Sequence, residues 1–93
     1  MNDEIQIGDM YFASALLAYG ADLVRVDKSD PKRQKFCFAD APLAYIIVLE
    51  NDVVVRVEKP TIETAENRFF ARKLCLPPNY SDAVRRIKTA IYS

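Results

Sequence analysis

Apolar residues fill the stretch from Met10 to Tyr19 with only Ser14 interrupting them. Asp9 can cap a helix N-terminus with its carboxylate, and Gly20 can close the C-terminus through a left-handed backbone. The spacing predicts a helix over 9–19. A helix apolar on nearly all sides is stable when buried on nearly all sides, so the rest of the chain is expected to fold around it. Ahead of it, Ile5 and Ile7 share one side of a short extended lead-in over 4–7.

Beyond Gly20 the period changes. Val24 and Val26 alternate with Leu23, Arg25 and Asp27, the pattern of a strand with one buried face. A polar connection from Lys28 to Arg33 follows, in which Pro31 presets a turn φ. Residues 34–39 read as the partner strand, with Phe36 and Phe38 on the face opposite Cys37. The two predict an antiparallel hairpin, which Asp40-Ala41-Pro42 ends. The next run, Ala44 to Leu49, is too short and too uniformly apolar for periodicity to separate strand from helix, and a helix over 41–52 is the alternative. The Asn51-Asp52 pair favours a two-residue turn, although glycine would serve better at its second position. Val53 to Val57 is rich in β-branched residues. The expectation is a second hairpin, 44–50 with 53–59, with Val53, Val55 and Val57 facing the core.

Pro60 closes the sheet region. Thr61 can cap a helix over 61–74, with Glu63 placed favourably in its first turn. Ile62, Ala65, Phe69 and Leu76 fall near one face of it, with Phe70 and Leu74 at the border. Pro77-Pro78 separates it from a last helix, capped by Ser81 or Asn79 and running to Tyr92. There Ala83, Val84, Ile87, Ala90 and Ile91 form one apolar stripe against Asp82, Arg85, Arg86, Lys88 and Thr89. The order predicts an α+β fold: an antiparallel sheet of three to four strands, with an N-terminal buried helix and two C-terminal helices packed on one face. At 93 residues the chain is expected to be a single domain over 1–93.

Composition removes several kinds of chemistry. The chain has no histidine, the usual general base and a common metal ligand. None of its serines sits in a nucleophile elbow. Its two glycines are isolated, so no glycine-rich loop cradles a phosphate. Two cysteines, Cys37 and Cys75, make neither a disulfide framework nor a zinc site and read as small hydrophobes. Asp30-Pro31-Lys32 superficially matches the acid-x-Lys of metal-dependent nucleases, yet it lies in a proline turn. Asp22, Asp27 and Asp40 could cluster at one sheet end, but solvated strand-end acids account for them. No catalytic residue, metal or cofactor is expected. No apolar run approaches the roughly 20 residues of a membrane span. The N-terminal Met1-Asn2-Asp3-Glu4 is acidic, unlike a signal peptide. The expected location is the cytoplasm.

Net charge is zero but uneven. Nine acids face five bases up to Val55, and eight bases face four acids after it. Arg68 and Arg72, four apart on one expected helix, are neighbours, and Lys73 adjoins them. Arg85, Arg86 and Lys88 lie on the outer face of the next. If the two helices lie side by side, six cations share a surface that attracts a phosphate backbone, with Tyr80 and Tyr92 to stack on a base. The bland account is a solvated face paired with Glu63, Glu66 and Asp82. A second candidate is apolar. With helices on one face of the sheet, Tyr45, Ile47 and Leu49 are left on the other, and a contiguous apolar patch marks an interface.

Several motifs together resemble a family of small proteins of unknown function found in phage, prophage and bacterial sequences. These are Asp9-Met10-Tyr11-Phe12-Ala13 with Leu16, Leu17 and Gly20, then Phe36-Cys37-Phe38-Ala39-Asp40, then Tyr80-Ser81-Asp82-Ala83 with Ile87-Lys88 and Ile91. The chain departs from the family over 43–60, which is longer and more β-like. The resemblance implies a compact α+β domain with no assigned activity, metal or cofactor, in the cytoplasm of a bacterial host. The expectation is a non-enzymatic accessory module of phage or mobile-element type. It would act through protein contacts with a partner or as a dimer, without a membrane; nucleic-acid binding is the alternative.

Overall fold

The computed structural model describes residues 4–30, 32–41 and 43–92. The turn expected at Pro31, the strand break at Pro42 and the acidic start Met1-Asn2-Asp3 lie outside the described residues. The elements run β1 (Glu4–Ile7), α1 (Met10–Ala18), β2 (Leu23–Asp27), β3 (Lys35–Ala39), β4 (Ile46–Glu50), β5 (Val53–Glu58), α2 (Ile62–Phe70) and α3 (Tyr80–Tyr92).

α1 forms where its bounding residues place it. Asp9 Oδ1 accepts the Phe12 N–H at 2.8 Å. Gly20 takes φ 91°, and the N–H groups of Gly20 and Ala21 return to the carbonyls of Leu17 and Leu16 at 3.0 and 2.9 Å, closing the helix with a Schellman pattern. Phe12 to Leu16 are buried; full burial of one such Phe or Leu contributes about 1.5–3 kcal/mol. Ser14, the one polar residue among them, donates to the Met10 carbonyl at 2.8 Å. Tyr11 departs from the expected all-round burial: it is 54% exposed.

The lead-in at β1 is a full strand. It pairs antiparallel with β3, and β3 pairs antiparallel with β2, giving the order β1-β3-β2. Register places Ile5, Ile7, Phe36, Phe38, Leu23 and Val26 on one face; Ile7, Phe36 and Phe38 are buried in the core, and Ile5, Leu23 and Val26 pack against it. A register shift between Leu23 and Arg25 resets the alternation of β2, so Val24 is exposed instead of sharing a buried side with Val26. On the opposite face Arg25 and Gln6 flank Cys37, and Arg25 reaches Glu4 at 3.2 Å. That pair spans β3, and Cys37 is fully buried.

The second hairpin forms as a hairpin and not as the alternative helix. Asn51 and Asp52 have φ of 51° and 63°, the two positive values a type I′ turn requires. The strands divide between two sheets, β4 and β5 making a separate pair. The other edge of β4 is met by residues 73–75: Leu49 N–H donates to Lys73 O at 2.6 Å and Cys75 N–H to Ile47 O at 2.9 Å, around the Val48–Leu74 bridge.

α2 is shorter than the expected 61–74. Thr61 caps it, Oγ1 accepting from Thr64 N–H at 3.2 Å, but Arg72 turns to φ 61°. The N–H groups of Arg72 and Lys73 then bond back to Phe69 and Arg68 carbonyls at 3.0 and 2.8 Å. This is the Schellman closure again, with arginine where glycine is usual. The released residues 73–75 are the ones that pair with β4. α3 packs along α1, whereas α1 and α2 meet only locally through Phe12 against Phe69, ring centroids 5.3 Å apart. Asn79 Nδ2 donates to Ala18 O at 3.2 Å and Tyr80 Oη to Tyr11 O at 3.3 Å, fastening the start of α3 to α1. No helix among the described residues is long and apolar enough to cross a membrane.

Candidate functional site

The inward side of the β4–β5 hairpin is supplied by β4. Ile46 and Val48 are fully buried, with Ile62, Ala65 and Leu74 in the same core. β5 lies outside it. Val53, Val54, Val55 and Val57 are 61, 58, 44 and 63% exposed, so the expectation that Val53, Val55 and Val57 face the core is reversed. The physical reason is in the packing order: the strand nearest α1 and α2 takes the core, and its hairpin partner takes the rim. A register shift between Val48 and Leu49 sets two β5 residues, Val54 and Val55, across from Leu49, which breaks strict alternation along β5.

The expected patch of Tyr45, Ile47 and Leu49 is correspondingly reduced. Tyr45 is 47% exposed and sets its ring edge-on to Tyr19 at 5.8 Å. Ile47 and Leu49 are half-buried, hemmed in by β5 on one side and residues 73–75 on the other. The apolar surface has moved to β5, whose outer edge has no ladder partner among the described residues.

Polar groups around the hairpin are occupied. Glu58 Oε1 takes Arg56 Nε at 3.3 Å and Arg68 Nε at 3.2 Å, and Glu50 takes Lys73 Nζ at 3.9 Å. The Tyr19 hydroxyl, buried under Tyr45, donates to the Cys75 carbonyl and accepts from Ile47 N–H at 3.4 Å. Burial, partly offset by that N–H, pushes its pKa above the ordinary 10.0. Tyr80 is raised too, again by burial first.

The six cations singled out from the sequence are not brought together as two adjacent helix faces would bring them, because α3 packs on α1 and not along α2. Arg68 is tied to Glu58 beside β5. Arg72 and Lys73 lie past the end of α2 and so are not helix neighbours of Arg68. Arg85, Arg86 and Lys88 are exposed on α3, with Arg85 3.7 Å from Asp82. Tyr80 and Tyr92 occupy opposite ends of α3, about 18 Å apart at 1.5 Å per residue, so they do not form one stacking platform.

The acids do not converge either. Asp22 and Asp40 flank one end of the β2–β3 pair, and Asp27 stands at the other, opposite Lys35. Asp27 Oδ1 accepts the Ser29 N–H at 2.9 Å, which holds its carboxyl below the usual range. Asp30 Oδ1 is taken by the Lys32 N–H at 2.9 Å, a turn contact. Among the described residues no group of three or more His, Cys, Asp or Glu is placed to hold a metal. Both cysteines are free, Cys37 buried and Cys75 half-buried.

The sequence pattern does not mark the exposure of β5, or the cations Lys32 and Arg33 of the β2–β3 connection with Lys35 at the start of β3. An ambiguous signal for the first is present. Val53 to Val57 is apolar on both faces apart from Arg56, a pattern shared by a fully buried strand and an unsatisfied rim strand. Compared with known protein families, with curated proteins and with solved structures, the chain finds no match.

Proposed function

We propose that the protein is a non-enzymatic interaction module of phage or mobile-element type that pairs with a second copy of itself through β5. The observation that carries this is the row of four exposed valines on a strand whose outer edge is unpaired among the described residues. Such an edge accepts another strand through main-chain hydrogen bonds, with alternate side chains packing against the newcomer. A second copy is favoured as that strand by the distribution of charge. An antiparallel two-fold pairing sets the acidic start of one strand, at Asp52, against the basic end of the other, at Lys59, and does so twice. Glu58 already carries Arg56 and Arg68, so pairing buries no lone carboxylate. The lack of histidine and the dispersal of the acids support a role in contact over one in chemistry.

Light scattering coupled to size exclusion tests this. The expected result is twice the 10.6 kDa monomer mass at tens of micromolar. Val55→Lys and Val57→Lys, both on exposed positions, are expected to give monomers with unchanged circular dichroism. A wild-type chain that stays monomeric at high concentration overturns the proposal.

A further inference from the structure

Two shallow grooves adjoin along the seam between α3 and β2, the edge strand of the three-stranded sheet, and a third lies past its end, between the last residues of α3, the start of α1 and the start of β3. The first, about 420 Å³, lies between Leu17, Leu23 and Ala90 and is rimmed by Arg85 and Arg86. The second, about 250 Å³, shares Leu23 and Ala90 with it and adds Arg25 and Lys28. The third, about 600 Å³, begins one residue further along α3, at Ile91 and Tyr92, and runs across Met10 and Phe36 to Lys32, Arg33 and Lys35. Seven cations line the three grooves, and no carboxylate lines any of them.

The neighbouring acids stand at their edge and offset part of this charge. Glu4 and Asp82 pair with Arg25 and Arg85, Asp27 lies across from Lys35, and Asp27 and Asp30 each accept a backbone N–H. Lys32, Arg33, Lys35 and Arg86 enter no ion pair among the described residues. The floor is apolar, and Tyr92 stands 86% exposed at one end.

We infer that this seam, with the groove past its end, is a binding track for a single-stranded nucleic acid. A row of cations along an extended groove follows a phosphate backbone, where a compact cluster would suit one small anion. An apolar floor with an exposed aromatic ring receives unstacked bases, which a duplex does not present. Lys32, Arg33 and Arg86 contact phosphates, and the bases lie over Met10, Ile91 and Tyr92. The track shares only α3 with the cationic surface expected from the sequence; its other cations come from β2, the loop after it and the start of β3. It does not depend on pairing at β5.

Fluorescence anisotropy of the full chain with fluorescein-labelled oligothymidylate tests the inference. Saturable binding is expected at about 50 mM salt, weakening steeply as salt is raised. A duplex of equal length is expected to compete about tenfold less well. Arg33→Glu with Arg86→Glu is expected to weaken binding about tenfold or more. Arg72→Glu, at a cation that lines none of the three grooves, and Val55→Lys are expected to change it by less than about twofold, being roughly thermal-energy effects. Circular dichroism confirms that each variant is folded. Absence of binding at low salt, equal competition by the duplex, or equal loss in Arg72→Glu overturns the assignment.

Discussion

Tyr19 does at residue scale what no apolar side chain could do in its place. Its ring fills the space between α1 and β4, and its hydroxyl answers two backbone groups, the Cys75 carbonyl and the Ile47 N–H. The second half of the fold is thereby fastened to the end of α1. Because burial raises its pKa above 10.0, the neutral phenol is the form the folded chain favours. Stability from this group is therefore fully present below the unfolded value and is lost as pH rises through the raised folded value. Urea unfolding is expected to show a falling free energy on the alkaline side of pH 10.0. Tyr19→Phe is expected to lower stability by about 1–3 kcal/mol at neutral pH, because two partly buried backbone groups lose their partner, and to flatten the alkaline fall. Tyr80, shifted the same way, contributes the slope that remains.

At the scale of elements, left-handed residues decide where things stop. Gly20 ends α1, Arg72 ends α2, and Asn51 with Asp52 reverses the chain between β4 and β5. Only the first of these is a glycine. A non-glycine residue pays steric strain of about 1 kcal/mol in that region, and glycine relieves it at a smaller entropic cost. Arg72→Gly and Asp52→Gly are each expected to raise stability by about 0.5–1 kcal/mol, seen as a higher urea midpoint with unchanged slope. A fall in midpoint for both would mean that the side chains at these positions outweigh the strain. The early stop at Arg72 has a second effect. It frees residues 73–75 to cover one edge of β4, which leaves β5 as the exposed side of that sheet.

On the scale of the whole molecule, the chain has one central helix and two small sheets. α1 carries α3 along one side and meets α2 and the β4 hairpin on another. The three-stranded sheet turns a polar face outward, roofed by the Arg25–Glu4 pair, whereas the two-stranded sheet turns valines outward. A two-stranded hairpin is marginal by itself in water, so its outer strand has most to gain from a further strand. If β5 pairs with a second copy, association and folding are linked, and the thermal midpoint is expected to rise with protein concentration. Differential scanning calorimetry across a hundredfold range of concentration reads this directly. A midpoint independent of concentration in the wild type would count against pairing, whereas Val55→Lys is expected to show such independence.

The sequence by itself determined what depends on neighbours a few residues apart. Asp9 and Gly20 bound α1, Thr61 starts α2, the stripe from Ala83 to Ile91 turns α3 inward, and Asn51-Asp52 makes the second hairpin. Each rests on capping, periodicity or turn geometry, which are local. Tertiary structure decided which of two apolar strands is inside. Alternation tells which residues share a face, and Val53 to Val57 is apolar on both, so only the competition between β4 and β5 for the surface of α1 and α2 settles it. It also decided where α2 stops, since residues 73–75 gain more by pairing with β4 than by continuing the helix. The same holds for charge. Arg85 and Arg86 are legible as an exposed helical face, but the cations of the adjoining groove, Arg25 and Lys28, lie about 60 positions away in the chain, a distance that only folding removes.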